Sequence, residues 1–212
     1  MNYSVVVLAA GSGTRMNLGY NKVLYRFKDG ELLLSKTLHV FLEDEDCKQV
    51  ILVTTPQEID SIQAKIHHDK IVYAYGGSMR QDSVYEGLKL VSEEYVMIHD
   101  GARCFVDKVM IEDLKEALVD EDACLLMVPV IDTIKVVEDG YVVNTLNRDV
   151  LYAAQTPQCF KTDLIRKCHQ MNREKQESVS DDASLVERFS DVKVKVVKGS
   201  YANKKVTTIE DL

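Results

Sequence analysis

The sequence of 212 residues is long enough for one large domain and too short for two of ordinary size. Hydrophobic residues make up 46% and charged residues 28%, with only 10 glycines and 3 prolines, which excludes collagen-like and Pro/Gly-rich disordered chains. The net charge of −8 argues against general nucleic-acid binding through a basic surface.

The sequence predicts a cytoplasmic localisation. The longest apolar stretches, such as residues 5–10, fall far short of the ~20 residues of a membrane span, and the first residues lead straight into a strand-like run rather than a signal sequence. The five cysteines are odd in number and form no C-x-x-C pair, which indicates reduced thiols. Five scattered histidines show no metal-ligand spacing, so a structural zinc site is not expected.

Strand-like and helical patterns alternate along the chain. Apolar runs typical of strands occur at 4–10, 49–54, 71–75, 95–99, 124–130 and 192–197. Apolar positions at spacings of three and four predict helices at 33–42, 58–67, 83–91, 109–119, 164–171 and 183–189. This alternation predicts an α/β fold with a doubly wound, mostly parallel sheet, whose ligand site lies at the carboxyl ends of the strands.

Residues 132–145 interrupt that alternation with the sequence DTIKVVEDGYVVNT. Its two β-branched runs are joined by Asp139-Gly140, which is the chemistry of a tight hairpin turn. A hairpin of this size is only marginally stable alone, so it must pack on the body or on another subunit. Since no linker marks a second domain, we predict one domain over residues 1–212 with a projecting β-hairpin arm at 132–148.

The first strand runs into the loop Leu8-Ala-Ala-Gly-Ser-Gly-Thr-Arg-Met16, whose small residues let main chain approach a nucleotide. It differs from the dinucleotide fingerprint because Met16 stands where a third small residue is needed, and no P-loop Gly-Lys follows. The cations Arg15 and Lys22 favour nucleotide binding over a plain strand-to-helix turn. Farther on, Ser78-Met-Arg-Gln81 has the form of a capping box and predicts a helix N-terminus open to a ligand.

Positive charge is concentrated at the two ends of this acidic chain. Residues 1–28 contain four cationic side chains and no acid, and residues 192–209 contain five lysines and no acid. Solvated faces are one interpretation, and the alternating Lys193 and Lys195 fit the outer face of a strand. The alternative is that the fold brings both ends to one anionic ligand.

The glycine loop followed by Asn21-Lys22 resembles the signature of nucleotidyltransferases, which include uridylyl and cytidylyl transferases. Further segments narrow the resemblance: Gly76-Gly-Ser-Met-Arg-Gln-Asp-Ser83, His99-Asp-Gly-Ala-Arg103, Asp132-Thr-Ile-Lys135, Thr145-Leu-Asn-Arg148, Gln155-Thr-Pro-Gln-Cys-Phe160, Ser180-Asp-Asp-Ala183 and Asn203-Lys-Lys-Val-Thr207. In this order they make nearly the whole chain similar to the 2-C-methyl-D-erythritol 4-phosphate cytidylyltransferases of non-mevalonate isoprenoid synthesis. Asn21, Gly101, Cys104 and Ser180 depart from the family pattern, and the family usually continues into a terminal helix beyond Leu212.

The resemblance implies a Rossmann-like sheet of the nucleotide-diphospho-sugar transferase type and a homodimer with shared active sites. It implies cytidylyl transfer from CTP to a polyol phosphate, with Mg²⁺ held mainly by the CTP phosphates rather than by a firmly assigned protein site. The substrate's phosphate is largely dianionic at pH 7, so it can attack the α-phosphorus without a general base. The enzyme must then supply alignment and positive charge.

The family pattern also implies roles for individual residues. Arg15 and Lys22 would stabilise the transition state on the triphosphate, and Arg148 and Lys205 would position the attacking phosphate. The residues that match positions reading the nucleotide are Ala9, Ala10, Gly11, Gly13, Gly77, Ser78 and Ser83. Those that match the substrate-alcohol side are Asp100, Arg103, Thr133, Thr156 and Ser180.

Some of these residues have a plainer interpretation. Thr156 could shape the turn at 155–157, Ser180 could be an N-cap, and His99 is expected to be a packed or hydrogen-bonding residue rather than a base. Asp100 could instead be an indirect Mg²⁺ ligand, although the resemblance favours hydroxyl binding. Cys124 is expected in the core, and Cys104 is a candidate reactive thiol for which a bystander role is favoured.

Three other functions remain as alternatives. A ribitol 5-phosphate cytidylyltransferase would share the architecture, although the segments at 132–135 and 180–183 look more like the erythritol enzyme. An NAD-dependent oxidoreductase expects an acid about 20 residues past the glycines at the end of the second strand, but that strand ends at Thr54-Thr55-Pro56. A catalytically dead nucleotide-sensing module is disfavoured because all four cations are retained.

Overall fold

The computed structural model describes residues 1–11 and 19–212. Its strands are β1 Tyr3–Leu8, β2 Cys47–Thr54, β3 Ile71–Tyr75, β4 Tyr95–Asp100, β5 Ala123–Pro129, β6 Lys135–Glu138, β7 Tyr141–Thr145, β8 Tyr152–Lys161 and β9 Lys195–Lys198. Its α-helices are α1 Leu33–Leu42, α2 Ile59–Gln63, α3 Arg80–Leu88, α4 Lys108–Ala117, α5 Thr162–Lys175 and α6 Ala183–Phe189. Short 3₁₀ helices occur at Lys22–Leu24, Arg148–Val150 and Ile209–Asp211.

Seven strands form one sheet in the order β3-β2-β1-β4-β8-β5-β9. The neighbouring strands pair in parallel, except that β8 runs antiparallel to both β4 and β5. Helices cover both faces, because Val5 packs in a cluster with residues of α1 and α4 while Val6 packs in a second cluster with residues of α3 and α5. The predicted doubly wound, mostly parallel α/β fold is confirmed.

The hairpin at 132–145 is also confirmed. Strands β6 and β7 pair with each other in a separate two-stranded sheet. Asp139 and Gly140 have φ values of 49° and 83°, the positive angles that the tight hairpin turns favour. Tyr141 and Val142 are 77% and 62% exposed, so the hairpin lies outside the hydrophobic core of this chain.

Strand β8 is absent from the sequence prediction, which gave a turn at 155–157 as one interpretation of Thr156. That prediction was wrong because polar residues and Pro157 interrupt the apolar run of a central strand. Gln158 is nevertheless buried, since its side chain accepts the N–H groups of Asp182 and Ala183 and donates to Asp181. Pairing partners distant in sequence therefore satisfy polar atoms that look exposed in a local pattern.

Several predicted boundaries shift. The predicted helices at 33–42 and 183–189 agree with α1 and α6, whereas α2 is shorter than 58–67 and β9 begins later than 192. Helix α3 starts at Arg80 instead of after a Ser78 cap, because the Asp82 carboxylate accepts the Ser78 hydroxyl and the Met79 N–H.

The C-terminal segment returns across the sheet and joins the N-terminal part of the chain. Val206 donates its N–H to the carbonyl of Ala102 at 2.8 Å. The Val206 carbonyl in turn accepts the Lys22 ammonium at 2.7 Å.

All five cysteines are buried and unpaired, and burial raises the pKa of the Cys104 thiol to about 11. Within residues 1–11 and 19–212, no helix has the length and apolar character needed to cross a membrane.

Candidate active site

An open cleft of about 430 Å³ lies where the carboxyl ends of β1 and β4 meet the start of α3 and the returning C-terminal segment. This is the position where doubly wound sheets bind ligands. Predicted site residues that line the cleft are Ala10, Gly11, Lys22, Gly77, Ser78, Ser83, Asp100 and Lys205. One residue from each basic end of the sequence, Lys22 and Lys205, therefore reaches the same cleft.

The turn between β3 and α3 presents main chain to the cleft. A side chain at Gly76 would put its Cβ 2.6 Å from that of Ala10, and one at Gly77 would overlap Asp82. The Ser83 hydroxyl accepts the Gly77 N–H and donates to the Met79 carbonyl, both at 3.1 Å. Ser83 thus fixes this turn, and Gly77 and Ser78 stay exposed at its surface.

Asp100 is the principal anion of the cleft. Its Oδ2 accepts the Lys205 ammonium at 2.8 Å and lies 3.8 Å from Arg103 Nε, while its Oδ1 lies 3.5 Å from Arg80 Nε. Burial alone raises the pKa of Asp100, but the charges of Arg80 and Lys205 outweigh it and hold that pKa well below its usual range. Asp100 is therefore a carboxylate at neutral pH and can accept a hydroxyl hydrogen.

Thr156 on β8 connects the side chain of His99 with the main chain of Asp100. The Thr156 hydroxyl accepts the Asp100 N–H at 3.0 Å and is 3.0 Å from His99 Nδ1. His99 Nε2 is 3.0 Å from the Arg103 carbonyl, which can only accept, so Nε2 carries the ring proton and Nδ1 accepts from Thr156. Thr156 lies within β8 instead of shaping a turn, and both residues brace the end of β4.

Other predicted site residues lie away from the cleft lining. Arg103 donates to the Asn203 carbonyl at 2.7 Å and so holds the C-terminal segment. Thr133 and Arg148 are exposed on the arm, where Arg148 donates to the Ile131 carbonyl at 2.6 Å. Ala9 is buried at the end of β1 and accepts from Asn21 at 2.8 Å. Gly13 and Arg15 lie outside the described residues.

Ser180 is exposed and does not cap α6. The Asp181 carboxylate accepts the Ser184 N–H at 3.1 Å, and Asp182 occupies the position before the helix. The N-cap interpretation of Ser180 was therefore wrong, because the next residue supplies the capping oxygen.

Sequence reasoning missed Arg80, which lines the cleft and donates to Asp182 at 2.8 Å and to Asp100 at 3.5 Å. Arg80 stands inside the motif at 76–83, so its position just after a glycine-rich turn at a strand end was an available signal. Its carboxylate partners are 20 and 102 residues away in sequence, so no local pattern reveals them.

Among residues 1–11 and 19–212, no three His, Cys, Asp or Glu side chains are grouped so that they could hold a metal ion. Asp100 is already engaged by three cationic side chains.

The buried His99 makes stability depend on pH in a defined window. Burial lowers the pKa of its imidazole from 6.5 to about 4, so the unfolded chain binds more protons between these values. The free energy of unfolding should therefore decrease as the pH falls through this window, by about 3 kcal/mol between pH 7 and pH 4. Urea unfolding of wild type and His99→Gln from pH 7 to 4 measures this loss of stability, because the two proteins differ only in the His99 ring. Parallel stability profiles for the two proteins would contradict it.

Comparison with known proteins agrees with this architecture. The family model described as 2-C-methyl-D-erythritol 4-phosphate cytidylyltransferase (IspD) matches residues 3–212. The enzyme of that name from Geobacillus kaustophilus is 43% identical, and the match covers 100% of this chain and 94% of the relative. The one from Halalkalibacterium halodurans is 44% identical with the same coverage.

Solved structures show the same relationship. The crystal structure of the Francisella tularensis 2-C-methyl-D-erythritol 4-phosphate cytidylyltransferase superposes with a TM-score of 0.87 at 32% identity, covering 100% of this chain and 96% of that one. The 4-diphosphocytidyl-2C-methyl-D-erythritol synthase of Anaerococcus prevotii gives 0.85 at 36% identity, covering 98% and 91%. The resemblance inferred from the motifs is confirmed, and the chain belongs to the 2-C-methyl-D-erythritol 4-phosphate cytidylyltransferase family.

Proposed function

We propose that this protein transfers the cytidylyl group of CTP to 2-C-methyl-D-erythritol 4-phosphate and releases pyrophosphate. The observation that carries the proposal is the arrival of Lys22 and Lys205 at one cleft beside exposed glycine-rich main chain. A phosphate oxygen of the polyol attacks the α-phosphorus, and the bond from that phosphorus to the bridging oxygen of the β-phosphate breaks. The electron pair leaves with pyrophosphate, so no proton transfer is required.

The charges in the cleft suit this reaction. The α-phosphate, the attacking phosphate and the leaving pyrophosphate are all anionic, and negative charge increases on the leaving group in the transition state. Lys22 and the loop residue Arg15 would neutralise the triphosphate, while Lys205 and Arg148 would align the attacking phosphate. The Lys22 ammonium already contacts the Val206 carbonyl next to Lys205, which supports a joint role for the two basic ends.

The nucleotide would bind across the exposed turn at Gly77 and Ser78, with Ala9, Ala10, Gly11, Gly13 and Ser83 completing that side. Main-chain groups would contact the nucleotide here, because a Cβ at Gly76 or Gly77 would clash with neighbouring side chains. Cytosine and uracil differ at one exocyclic group that donates in the first and accepts in the second. A main-chain site set for cytosine therefore leaves unpaired polar groups with UTP.

On the substrate-alcohol side, Asp100 would accept a hydroxyl, with Arg103, Thr133, Thr156 and Ser180 as the remaining candidates. In this structure Thr156 and Arg103 are engaged by protein groups, which supports an indirect role for both through Asp100 and the C-terminal segment.

Mg²⁺ would enter with the CTP phosphates as part of that substrate. Five buried, unpaired thiols support a reducing, cytoplasmic setting.

We also propose that the arm at 132–148 reaches across a twofold homodimer and carries Thr133 and Arg148 to the partner's cleft. Every residue of β7 is exposed, and Val142 and Val143 are 62% and 52% exposed. An isolated two-stranded hairpin is marginal in water, so apolar residues on it need a surface to cover them. Arg148 lies at the base of this exposed arm rather than at the cleft of its own chain.

The activity itself is tested by pyrophosphate release. We expect turnover with CTP and 2-C-methyl-D-erythritol 4-phosphate, with kcat/KM at least about tenfold lower for UTP. Lys205→Met should lower kcat by roughly 10²-fold, because it removes charge at the attacking phosphate. The matched control Lys195→Met, an exposed lysine on β9, should leave kcat unchanged. Equal turnover of ribitol 5-phosphate or of UTP would overturn the assignment of substrate or nucleotide.

The shared-site dimer is tested by mixing inactive variants. Arg15→Ala and Arg148→Ala place their defects on opposite sides of a shared site, so half of randomly reassorted dimers are hybrids with one intact site. Mixing should therefore restore about a quarter of wild-type activity. A mixture of Arg15→Ala with Lys22→Ala is the control, because both residues belong to the same subunit's side and no intact site forms. Failure of the first mixture after demonstrated subunit exchange would show that each subunit builds its own site.

A further inference from the structure

Arg80 connects the cleft to two buried side chains behind it, Asp182 and His169. Its Nη1 donates to Asp182 Oδ2 at 2.8 Å, and the other oxygen of Asp182 lies 3.2 Å from His169 Nε2. The side chains of Asp182 and His169 are only 1% and 2% exposed. None of the steps proposed above uses Asp182 or His169, although burying the Asp182 carboxylate carries a large desolvation cost.

The local contacts keep Asp182 ionised. Burial alone raises the pKa of Asp182, but the nearby Arg80 and the hydrogen bond from His169 lower it below its ordinary value. Because a carboxylate oxygen can only accept, His169 Nε2 must carry the proton in this contact. The Gln158 side chain accepts the Asp182 N–H at 3.1 Å, which fixes the main chain as well. Asp182 is therefore a rigid anion directed at Arg80.

Arg80 lies between the carboxylates of Asp100 and Asp182 and is closer to that of Asp182. Its contact with Asp182 is 2.8 Å, whereas its Nε lies 3.5 Å from Asp100 Oδ1, at the weak limit of hydrogen bonding. Asp100 Oδ2 is taken by Lys205 at 2.8 Å. Oδ1 is thus the Asp100 oxygen with the weaker protein contact, and it remains able to accept from a ligand.

We infer that Asp182 and His169 are positioning residues that hold the Arg80 guanidinium back from Asp100, so that Asp100 Oδ1 can bind a hydroxyl of the polyol phosphate. This inference rests on the proposed function, because it deepens the role of Asp100 there. Without the charge of Asp182, the strongest anion within reach of Arg80 is Asp100. The guanidinium would then close onto Oδ1 in a tight, charge-assisted contact and compete with the substrate hydroxyl.

The test compares Asp182→Asn with wild type by pyrophosphate release, with each substrate varied in turn. Asparagine keeps the size of the side chain and removes its charge. We expect the KM for the polyol phosphate to rise about tenfold, with kcat and the KM for CTP changing by less than about threefold. The control Arg188→Ala breaks the exposed Arg188–Glu177 pair of the same segment and should leave every constant unchanged.

A double-mutant cycle separates positioning from mere structural support. If Asp182 acts through Arg80, Asp182→Asn should have no further effect on the polyol KM in an Arg80→Ala background. An equal tenfold rise in that background would overturn the inference, as would an unchanged KM in Asp182→Asn itself.

The His169 variants keep the inference testable if Asp182→Asn does not fold. His169→Leu removes the donor to Asp182 and should raise the polyol KM in the same direction, whereas His169→Gln keeps a donor and should restore it. Equal KM values for wild type and both His169 variants would overturn the inference. A wild-type protein that releases no pyrophosphate would refute the proposed function and this role together, while normal wild-type turnover with unaltered variants would refute this role alone.

Discussion

The buried carboxylate of Asp100 imposes the constraint on which the cleft depends. An ion removed from water at the end of β4 is costly unless cations surround it. Here those cations come from three separate parts of the chain, Arg80, Arg103 and Lys205. Satisfying one carboxylate therefore draws the start of α3 and the C-terminal segment to the same strand end. Three cationic side chains therefore lie within 4 Å of this one carboxylate.

The sheet supplies a rigid base for this arrangement. Strand β8 runs antiparallel between β4 and β5 and places Thr156 against the Asp100 N–H. The same strand carries Gln158, whose side chain fixes the main chain at Asp182. One strand thus connects the front of the cleft with the buried charges behind Arg80. The antiparallel direction of β8 thus places Thr156 and Gln158 where they contact the main chain of Asp100 and of Asp182.

Local patterns were sufficient for much of the fold. The helical spacing at 33–42 and the Asp139-Gly140 turn give α1 and the hairpin because both depend on interactions within a few residues. Strand β8 was missed because its buried glutamines find partners far away in sequence, Gln155 at Ser200 and Gln158 at residues 181–183. Arg80 was missed for a related reason, since its role depends on Asp182, which lies 102 positions later. The cleft lysines Lys22 and Lys205 could be foreseen because charge and motif both marked them.

If the charge of Asp100 assembles the cleft, its loss should loosen the C-terminal segment that Lys205 belongs to. Hydrogen exchange of wild type and Asp100→Asn should be compared, because asparagine keeps the shape and removes the ion. The Val206 amide, which donates to Ala102, should exchange at least about tenfold faster in the variant, while amides of β1 keep their protection. Equal protection of Val206 in the two proteins would contradict this account of how the cleft is built.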